Sequence, residues 1–88
     1  MTWEIRYRAS VEKDVARLPQ GIRDLVYRAI EALFSDPLPS GCKKLKGPKN
    51  RFRLKIAKDY RIVYSLFKDE RRITIEFVGH RKDAYRWF

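Results

Sequence analysis

The spacing of apolar residues changes halfway along this 88-residue chain, and this change limits the possible folds more than any other feature. After a short alternating stretch at residues 3–8, apolar residues recur at helical spacing up to residue 34. From residue 51 onward they alternate with polar residues at a period of two. Helices and strands that occupy separate blocks indicate an α+β fold rather than repeated β-α units.

The N-terminal half predicts one strand followed by a helical hairpin. Trp3, Ile5 and Tyr7 alternate with charged residues, which predicts a half-buried strand with these three side chains inward. A short amphipathic helix over residues 11–18 is broken at residues 19–21. The second helix follows it with a longer apolar stripe, made of Ile22, Leu25, Val26, Ala29, Ile30, Leu33 and Phe34.

The C-terminal half predicts an antiparallel β-meander with a short C-terminal helix or tail. Three alternating stretches are joined by connections too short for the crossover that parallel strands need. One face of this sheet is expected to bury against the hairpin, so that residues 1–88 form a single domain. That face holds Phe52, Leu54, Ile56, Ile62, Ile73, Ile75 and Phe77.

The net charge of +10 is confined to the second half of the chain. Residues 1–42 carry six basic and six acidic side chains, whereas residues 43–88 carry fifteen basic and five acidic ones. Alternation sends Arg53, Lys55 and Arg61 to the sheet face opposite the core. A concentrated cationic face favours a polyanionic partner such as RNA, and the alternative is a surface that serves only solubility.

Several classes of function are disfavoured by what the sequence lacks. Its longest apolar run has three residues, far below the roughly 18 that span a bilayer, so no membrane association is expected. The single Cys42 excludes an internal disulfide, and His80 has no second histidine or cysteine at ligand spacing. We therefore expect a cytoplasmic protein with neither metal nor cofactor.

A cluster of cations with aromatic neighbours can cleave RNA without a metal. The 2′-hydroxyl of the substrate attacks the adjacent phosphorus once a base removes its proton, and an acid protonates the departing 5′-oxygen. Guanidinium groups match phosphate oxygens and stabilise the charge of the transition state. Lys55 is the better candidate base, because neighbouring cations disfavour its protonated form.

The sequence resembles the RelE/ParE toxin superfamily along essentially its whole length. Within it, the chain is most similar to the RelE branch of ribosome-dependent mRNA endonucleases from type II toxin–antitoxin pairs. The segments that carry the resemblance are Lys44-Leu45-Lys46-Gly47, Phe52-Arg53-Leu54-Lys55, Asp59-Tyr60-Arg61-Ile62-Val63-Tyr64 and Val78-Gly79-His80-Arg81, followed by Tyr85.

The resemblance implies an active site of Arg53, Lys55, Arg61, Arg81 and Tyr85. Arg53 stands where the family commonly has a lysine and would hold the scissile phosphate, and Lys55 would be the base or its electrostatic partner. Arg61 and Arg81 would stabilise the transition state, with Arg81 also protonating the leaving group, and Tyr85 would stack on an mRNA base. His80 is a possible further acid or base. The residues expected to grip RNA or the ribosome are Lys43, Lys44, Lys46, Lys49 and Arg51.

The function implied by the resemblance is a metal-independent mRNA endoribonuclease that blocks translation. Its partners would be the ribosome, mRNA and an acidic RelB-like antitoxin, with operator DNA contacted only through that antitoxin. Two alternatives stay open at this point. One is a non-catalytic, ParE-like inhibitor of DNA gyrase, and the other is a module that binds RNA or the ribosome without cleaving it.

Overall fold

A five-stranded sheet organises the computed structural model, which describes residues 3–47 and 50–87. The fold is α+β, as the sequence predicts. Among the described residues, no helix is long and apolar enough to cross a membrane. The elements are β1 (Glu4–Tyr7), α1 (Val11–Ala16), α2 (Gln20–Leu33), β2 (Cys42–Lys44), β3 (Arg51–Ile56), β4 (Tyr60–Phe67), β5 (Arg72–His80) and α3 (Arg81–Ala84), with 3₁₀ turns at Lys68–Glu70 and Tyr85–Trp87.

The strands lie in the order β1-β5-β4-β3-β2. Strands β3, β4 and β5 pair antiparallel in sequence, which confirms the predicted meander. The three-residue strand β2 adds an edge that the alternation did not predict. At the other edge, β1 runs parallel to β5, with Ile5 opposite Ile73. The N-terminal strand therefore joins the sheet beside its last strand.

The main core lies between the helical hairpin and one face of the sheet, as predicted. Its side chains include Val26, Leu33, Ile62 and Ile73, which have no solvent exposure. Burial of this apolar surface is the main force that holds the hairpin on the sheet.

The hairpin and β1 bury fewer apolar side chains than the sequence predicts. Leu25 and Phe34 are 41% and 39% exposed, because Val26, Ile30 and Leu33 form the buried row of α2 and leave these two at its margin. Tyr7, predicted to point inward, is 56% exposed. It ends a short edge strand, where one side of the sheet has no neighbouring strand.

Phe77 packs on the opposite face from the one that the sequence predicts. Val63 pairs with Phe77, but the next residue, Tyr64, pairs with Ile75, so Glu76 is an extra residue in β5. Such a β-bulge interrupts the alternation of side chains along the strand. Phe77 therefore leaves the face of Ile75 and joins a second apolar cluster on the side of the sheet turned away from α1 and α2, which we call the distal face.

The second cluster holds residues 81–87, which we call the C-terminal segment, against the distal face. It consists of Leu45, Val63, Phe77 and Ala84, with Trp87 packed against them. The chain thus has apolar contacts on both faces of the sheet, and the C-terminal segment lies beside the cations that alternation sends to the distal face.

Candidate functional site

Strand register brings the predicted cations of β2, β3 and β4 together on the distal face. Lys55 lies directly opposite Arg61, and Lys43 lies opposite Arg53. Leu54, between Arg53 and Lys55, points into the core beneath the hairpin, so its two neighbours point the other way. Residues paired across an antiparallel ladder have Cβ atoms about 5 Å apart. These side chains therefore form one cationic surface.

The guanidinium group of Arg61 is oriented by the turn that joins β3 and β4. Its Nη1 atom donates to the carbonyl oxygens of Lys58 and Tyr60, at 3.2 and 2.9 Å. The side chain is half-buried. These two hydrogen bonds hold one side of the planar group against the backbone, and a planar guanidinium has further N–H groups that can bind phosphate.

Arg81 meets the same turn from the end of β5. It is the first residue of α3, and its backbone N–H donates to the carbonyl oxygen of Asp59 at 2.7 Å. Its Nε atom lies 3.6 Å from Oδ1 of Asp59. Because Arg61 pairs with Gly79, two residues before Arg81, the two predicted arginines lie at the same end of the sheet.

Gly79 lies beneath the ring of Phe77. A Cβ atom at residue 79 would come within 2.6 Å of Cζ of Phe77, closer than a Cβ atom tolerates. The missing side chain leaves room for the Cζ end of this ring at the strand next to Arg61. Glycine is thus required here for close approach rather than for an unusual backbone angle.

The C-terminal segment crosses the distal face and is held there by Trp87. The ring centroid of Trp87 lies 6.1 Å from the ring centroid of Phe77. The guanidinium carbons of Arg51 and Arg8 lie 5.0 and 5.4 Å from the Trp87 centroid. These distances are within the range of cation–π contacts. Tyr85 begins the last 3₁₀ turn and is 58% exposed, so its ring is accessible to solvent.

Two of these contacts bear on the sequence prediction. Arg51, predicted to grip RNA, is half-buried beside Trp87. Arg8 did not stand out in the sequence, because it lies in the N-terminal half where basic and acidic residues balance. No periodicity or motif places it near the C-terminal tryptophan.

His80 lies on the hairpin side of the sheet rather than with the cations. It pairs with Tyr60, and the two rings meet edge to face with centroids 5.5 Å apart. Its Nδ1 atom accepts a hydrogen bond from the backbone N–H of Lys82 at 3.1 Å and so caps α3. One ring nitrogen therefore accepts a hydrogen bond at the start of α3, and the structure does not bring the imidazole to the distal face.

The predicted RNA-gripping lysines are divided by the alternation of β2. Lys43 joins the distal face opposite Arg53. Lys44 pairs with Phe52, which packs against the main core, so Lys44 is exposed at the hairpin side of the sheet edge. Lys46 is exposed in the following connection, and Lys49 lies outside the described residues.

The sequence does not predict a set of connected polar contacts that lies beside Trp87. Buried Ser65 donates through Oγ to Oε2 of Glu76 at 2.7 Å, and Oε1 of Glu76 lies 3.9 Å from Nη1 of Arg8. The extra residue of the bulge is thus the carboxylate that pairs with this arginine. Within residues 3–47 and 50–87, no group of histidine, cysteine and acidic side chains is arranged to hold a metal ion.

Comparison with known proteins places this chain in a family. Residues 5–85 match the sequence model for the ParE toxin of type II toxin–antitoxin systems, parDE. A protein of Methanocaldococcus jannaschii named as the candidate toxin RelE1 is 30% identical over 98% of both chains.

Solved structures of RelE toxins share the fold. The RelE–RelB complex of Pyrococcus horikoshii matches with a TM-score of 0.80 and 24% identity, covering 92% of this chain and 97% of that one. The antitoxin–toxin complex RelB–RelE of Methanococcus jannaschii matches with a TM-score of 0.75 and 26% identity, covering 94% and 98%. A variant of the toxin RelE of E. coli in the free state gives a TM-score of 0.81 at 17% identity, covering 99% and 92%.

Proposed function

This chain belongs to the ParE toxin family of type II toxin–antitoxin systems, and on that premise we propose that it is a toxin that cleaves mRNA on the ribosome. The observation that carries the proposal is the cationic surface of the distal face. Arg53, Lys55 and Arg61 lie on paired strands there, and Arg81 reaches the turn next to Arg61. Cations placed around a scissile phosphate can stabilise the charge of the transition state when RNA is cleaved without a metal.

The proposed reaction uses the 2′-hydroxyl of the substrate as the nucleophile. Lys55 in its neutral form accepts the hydroxyl proton while the 2′-oxygen bonds to phosphorus. Arg53 and Arg61 stabilise the charge that gathers on the non-bridging oxygens. The P–O5′ bond breaks, and the guanidinium of Arg81 donates a proton to the departing 5′-oxygen and regains one from solvent. The products are a 2′,3′-cyclic phosphate and a 5′-hydroxyl.

Tyr85 is proposed to orient the substrate. An exposed aromatic ring beside a cationic surface can stack on an unpaired base, and such stacking is tolerant of base identity. Its position at the start of the 3₁₀ turn, two residues before Trp87, places it on the segment fixed to the distal face.

Primer extension on mRNA in a translating extract tests the proposal. Wild-type protein should cut within codons, and Arg61→Ala and Arg81→Ala should each lower the cleavage rate by about 10²–10³-fold. Arg28→Ala, which removes an exposed arginine from α2 far from the distal face, is the matched control and should cleave at the wild-type rate. Intact mRNA with wild-type protein would overturn the proposal.

Inhibition of DNA gyrase is the second candidate function, because the matching family model is that of the ParE toxin. It predicts intact mRNA together with arrested replication and inhibition of purified gyrase. Intact mRNA with blocked translation would instead indicate a protein that binds the ribosome or RNA without cleaving it. The same set of extracts and variants separates the three outcomes.

An antitoxin is the partner that we propose for this chain. The structural relatives from Pyrococcus horikoshii and Methanococcus jannaschii were solved as complexes of RelE with RelB. A chain with a net charge of +10 would favour an acidic partner through complementary charge. Co-purification with the product of an adjacent small acidic reading frame, and loss of toxicity when both are expressed, would support this partner.

A further inference from the structure

We infer that Asp59 is a positioning residue that sets the orientation of Arg81, and that the β3–β4 turn is the common anchor of both arginines. The inference rests on the proposed function, since it assigns a role in the same site. Residues 57–59 link the two strands, and the backbone or side chains of this turn contact Arg61 from one side and Arg81 from the other.

Asp59 contacts Arg81 twice. Its carbonyl oxygen accepts from the backbone N–H of Arg81 at 2.7 Å, which fixes where α3 begins relative to the turn. Its carboxylate lies 3.6 Å from Nε and so faces that side of the guanidinium. Because this side-chain contact uses Nε, the edge formed by the two Nη atoms can face a phosphate in the bidentate geometry that arginine favours.

The turn itself has a constrained backbone. Ala57 adopts a left-handed conformation with φ of 54°, which costs energy for a residue other than glycine. The neighbouring carbonyls of Lys58 and Tyr60 then point at Nη1 of Arg61. One tight turn thus aims two carbonyl groups at Arg61 and a carboxylate at Arg81, so both side chains are oriented before substrate binds.

Because the Asp59–Arg81 pair is exposed, its effect on the orientation of Arg81 can be measured apart from any effect on the stability of the fold. The two side chains are 42% and 45% exposed, and ion pairs this open to solvent contribute little to the free energy of unfolding. Loss of the carboxylate should therefore leave the fold nearly unchanged. It should still lower cleavage, because the guanidinium of Arg81 would sample orientations that do not meet the phosphate.

The test compares Asp59→Asn with Asp69→Asn, an exposed aspartate in the β4–β5 connection. Single-turnover cleavage on programmed ribosomes is measured over a range of toxin concentrations. We expect Asp59→Asn to lower the maximal rate about tenfold with the half-saturating concentration and Tm unchanged, and Asp59→Glu to recover part of it. Asp69→Asn should match the wild type.

A double-mutant cycle decides whether Asp59 acts through Arg81. In an Arg81→Ala background, Asp59→Asn should have no further effect, because the group that it orients is gone. A full further tenfold loss in the double mutant, or a loss of rate that follows a fall in Tm, would overturn the inference.

A readout that does not need cleavage distinguishes this inference from the proposed function. The Nε–H signal of Arg81 in a ¹⁵N NMR spectrum should shift in Asp59→Asn and not in Asp69→Asn. If the wild type fails to cut mRNA, the proposed function fails, and this signal alone decides whether Asp59 orients Arg81. An unchanged Arg81 signal in Asp59→Asn would overturn the inference in either case.

Discussion

Gly79 is the residue whose replacement should most directly disturb the distal face without removing a charge. In Gly79→Ala the new methyl group would meet the ring of Phe77 at 2.6 Å and force it away from β5. Overpacking of this kind costs about 1–3 kcal/mol of unfolding free energy. Urea denaturation should show this loss, and cleavage should fall with it, because Arg61 lies directly opposite.

Gly21→Ala is the matched control. Gly21 lies near the start of α2, and a Cβ atom there would meet nothing within 4 Å. Alanine is favoured over glycine in helices by about 0.5–1 kcal/mol, so this variant should be slightly more stable than the wild type. A Gly79→Ala variant as stable as Gly21→Ala would contradict the close packing of Phe77.

Tyr64 gives the protein a specific sensitivity to high pH. Burial raises the pKa of its phenol above the usual range, and its hydroxyl donates to the carbonyl oxygen of Pro37 at 2.8 Å. The folded state keeps the phenol neutral, whereas the unfolded chain loses the proton near pH 10. The stabilisation is complete below pH 10 and is lost above it, by about 1.4 kcal/mol per pH unit.

Comparison with Tyr64→Phe isolates this contribution from that of other groups. The variant lacks the ionisable hydroxyl and should lose about 1 kcal/mol at neutral pH through the missing hydrogen bond. Above pH 10 its stability should fall less steeply than that of the wild type. Parallel curves from pH 9 to 11 in chemical denaturation would show that Tyr64 does not contribute.

At the scale of elements, alternation was enough to predict the meander and the face of its cations. Leu54 and Ile62 are apolar and buried, so the side of Arg53, Lys55 and Arg61 follows from period two alone. The β-bulge at Glu76 could not be predicted, because it depends on how β4 and β5 pair rather than on either strand. For this reason the sequence predicts the wrong face for Phe77.

The contacts of Arg81 with the β3–β4 turn could not be predicted from the sequence for a related reason. Asp59 is an ordinary turn residue by composition, and its contact with Arg81 requires the left-handed conformation of Ala57 and the register of β4 with β5. The face of His80 likewise follows from its pairing with Tyr60, which no motif reveals. The resemblance to a family predicts which residues form the candidate site, whereas their arrangement depends on how the strands pair.

The packing of the whole C-terminal segment against the sheet should depend on Trp87. Trp87→Ala removes the contacts with Phe77, Arg51 and Arg8 and should release residues 81–87 from the sheet. Trypsin should then cut after Arg81, Lys82 and Arg86 at least tenfold faster. Trp87→Phe keeps an aromatic ring and should show an intermediate rate.

Tyr27→Ala serves as the control for this change. Tyr27 is 58% exposed on α2, so its loss removes an aromatic ring without touching the second cluster. It should leave cleavage by trypsin in the C-terminal segment unchanged. Equal rates for Trp87→Ala and Tyr27→Ala would show that the tryptophan does not hold the segment.

At the scale of the whole molecule, the asymmetry of charge should set the salt dependence of RNA binding. Each phosphate contact with single-stranded RNA contributes about −0.7 to the slope of log affinity against log salt. Replacing Lys43, Lys44 and Lys46 by glutamine should therefore make the slope shallower by up to about 2. Fluorescence anisotropy with a labelled RNA between 50 and 300 mM KCl measures the slope.

A matched triple variant removes the same charge from the other half. Lys13, Arg17 and Arg28 are exposed cations of the helical hairpin, and their replacement by glutamine also lowers the net charge by three. If contacts on the distal face and its edge govern binding, this variant should keep the wild-type slope. Equal effects of the two variants would mean that only total charge matters.

The parallel pairing of β1 with β5 affects the order in which parts of the protein fold during synthesis. Glu4 pairs with Arg72, so β1 has no partner strand in the sheet until β5 has been synthesised. The meander can form from neighbouring segments, whereas this contact must close almost the full length of the chain. We expect β1 to dock late in folding, so that an unfinished chain emerging from the ribosome lacks the completed sheet and is inactive.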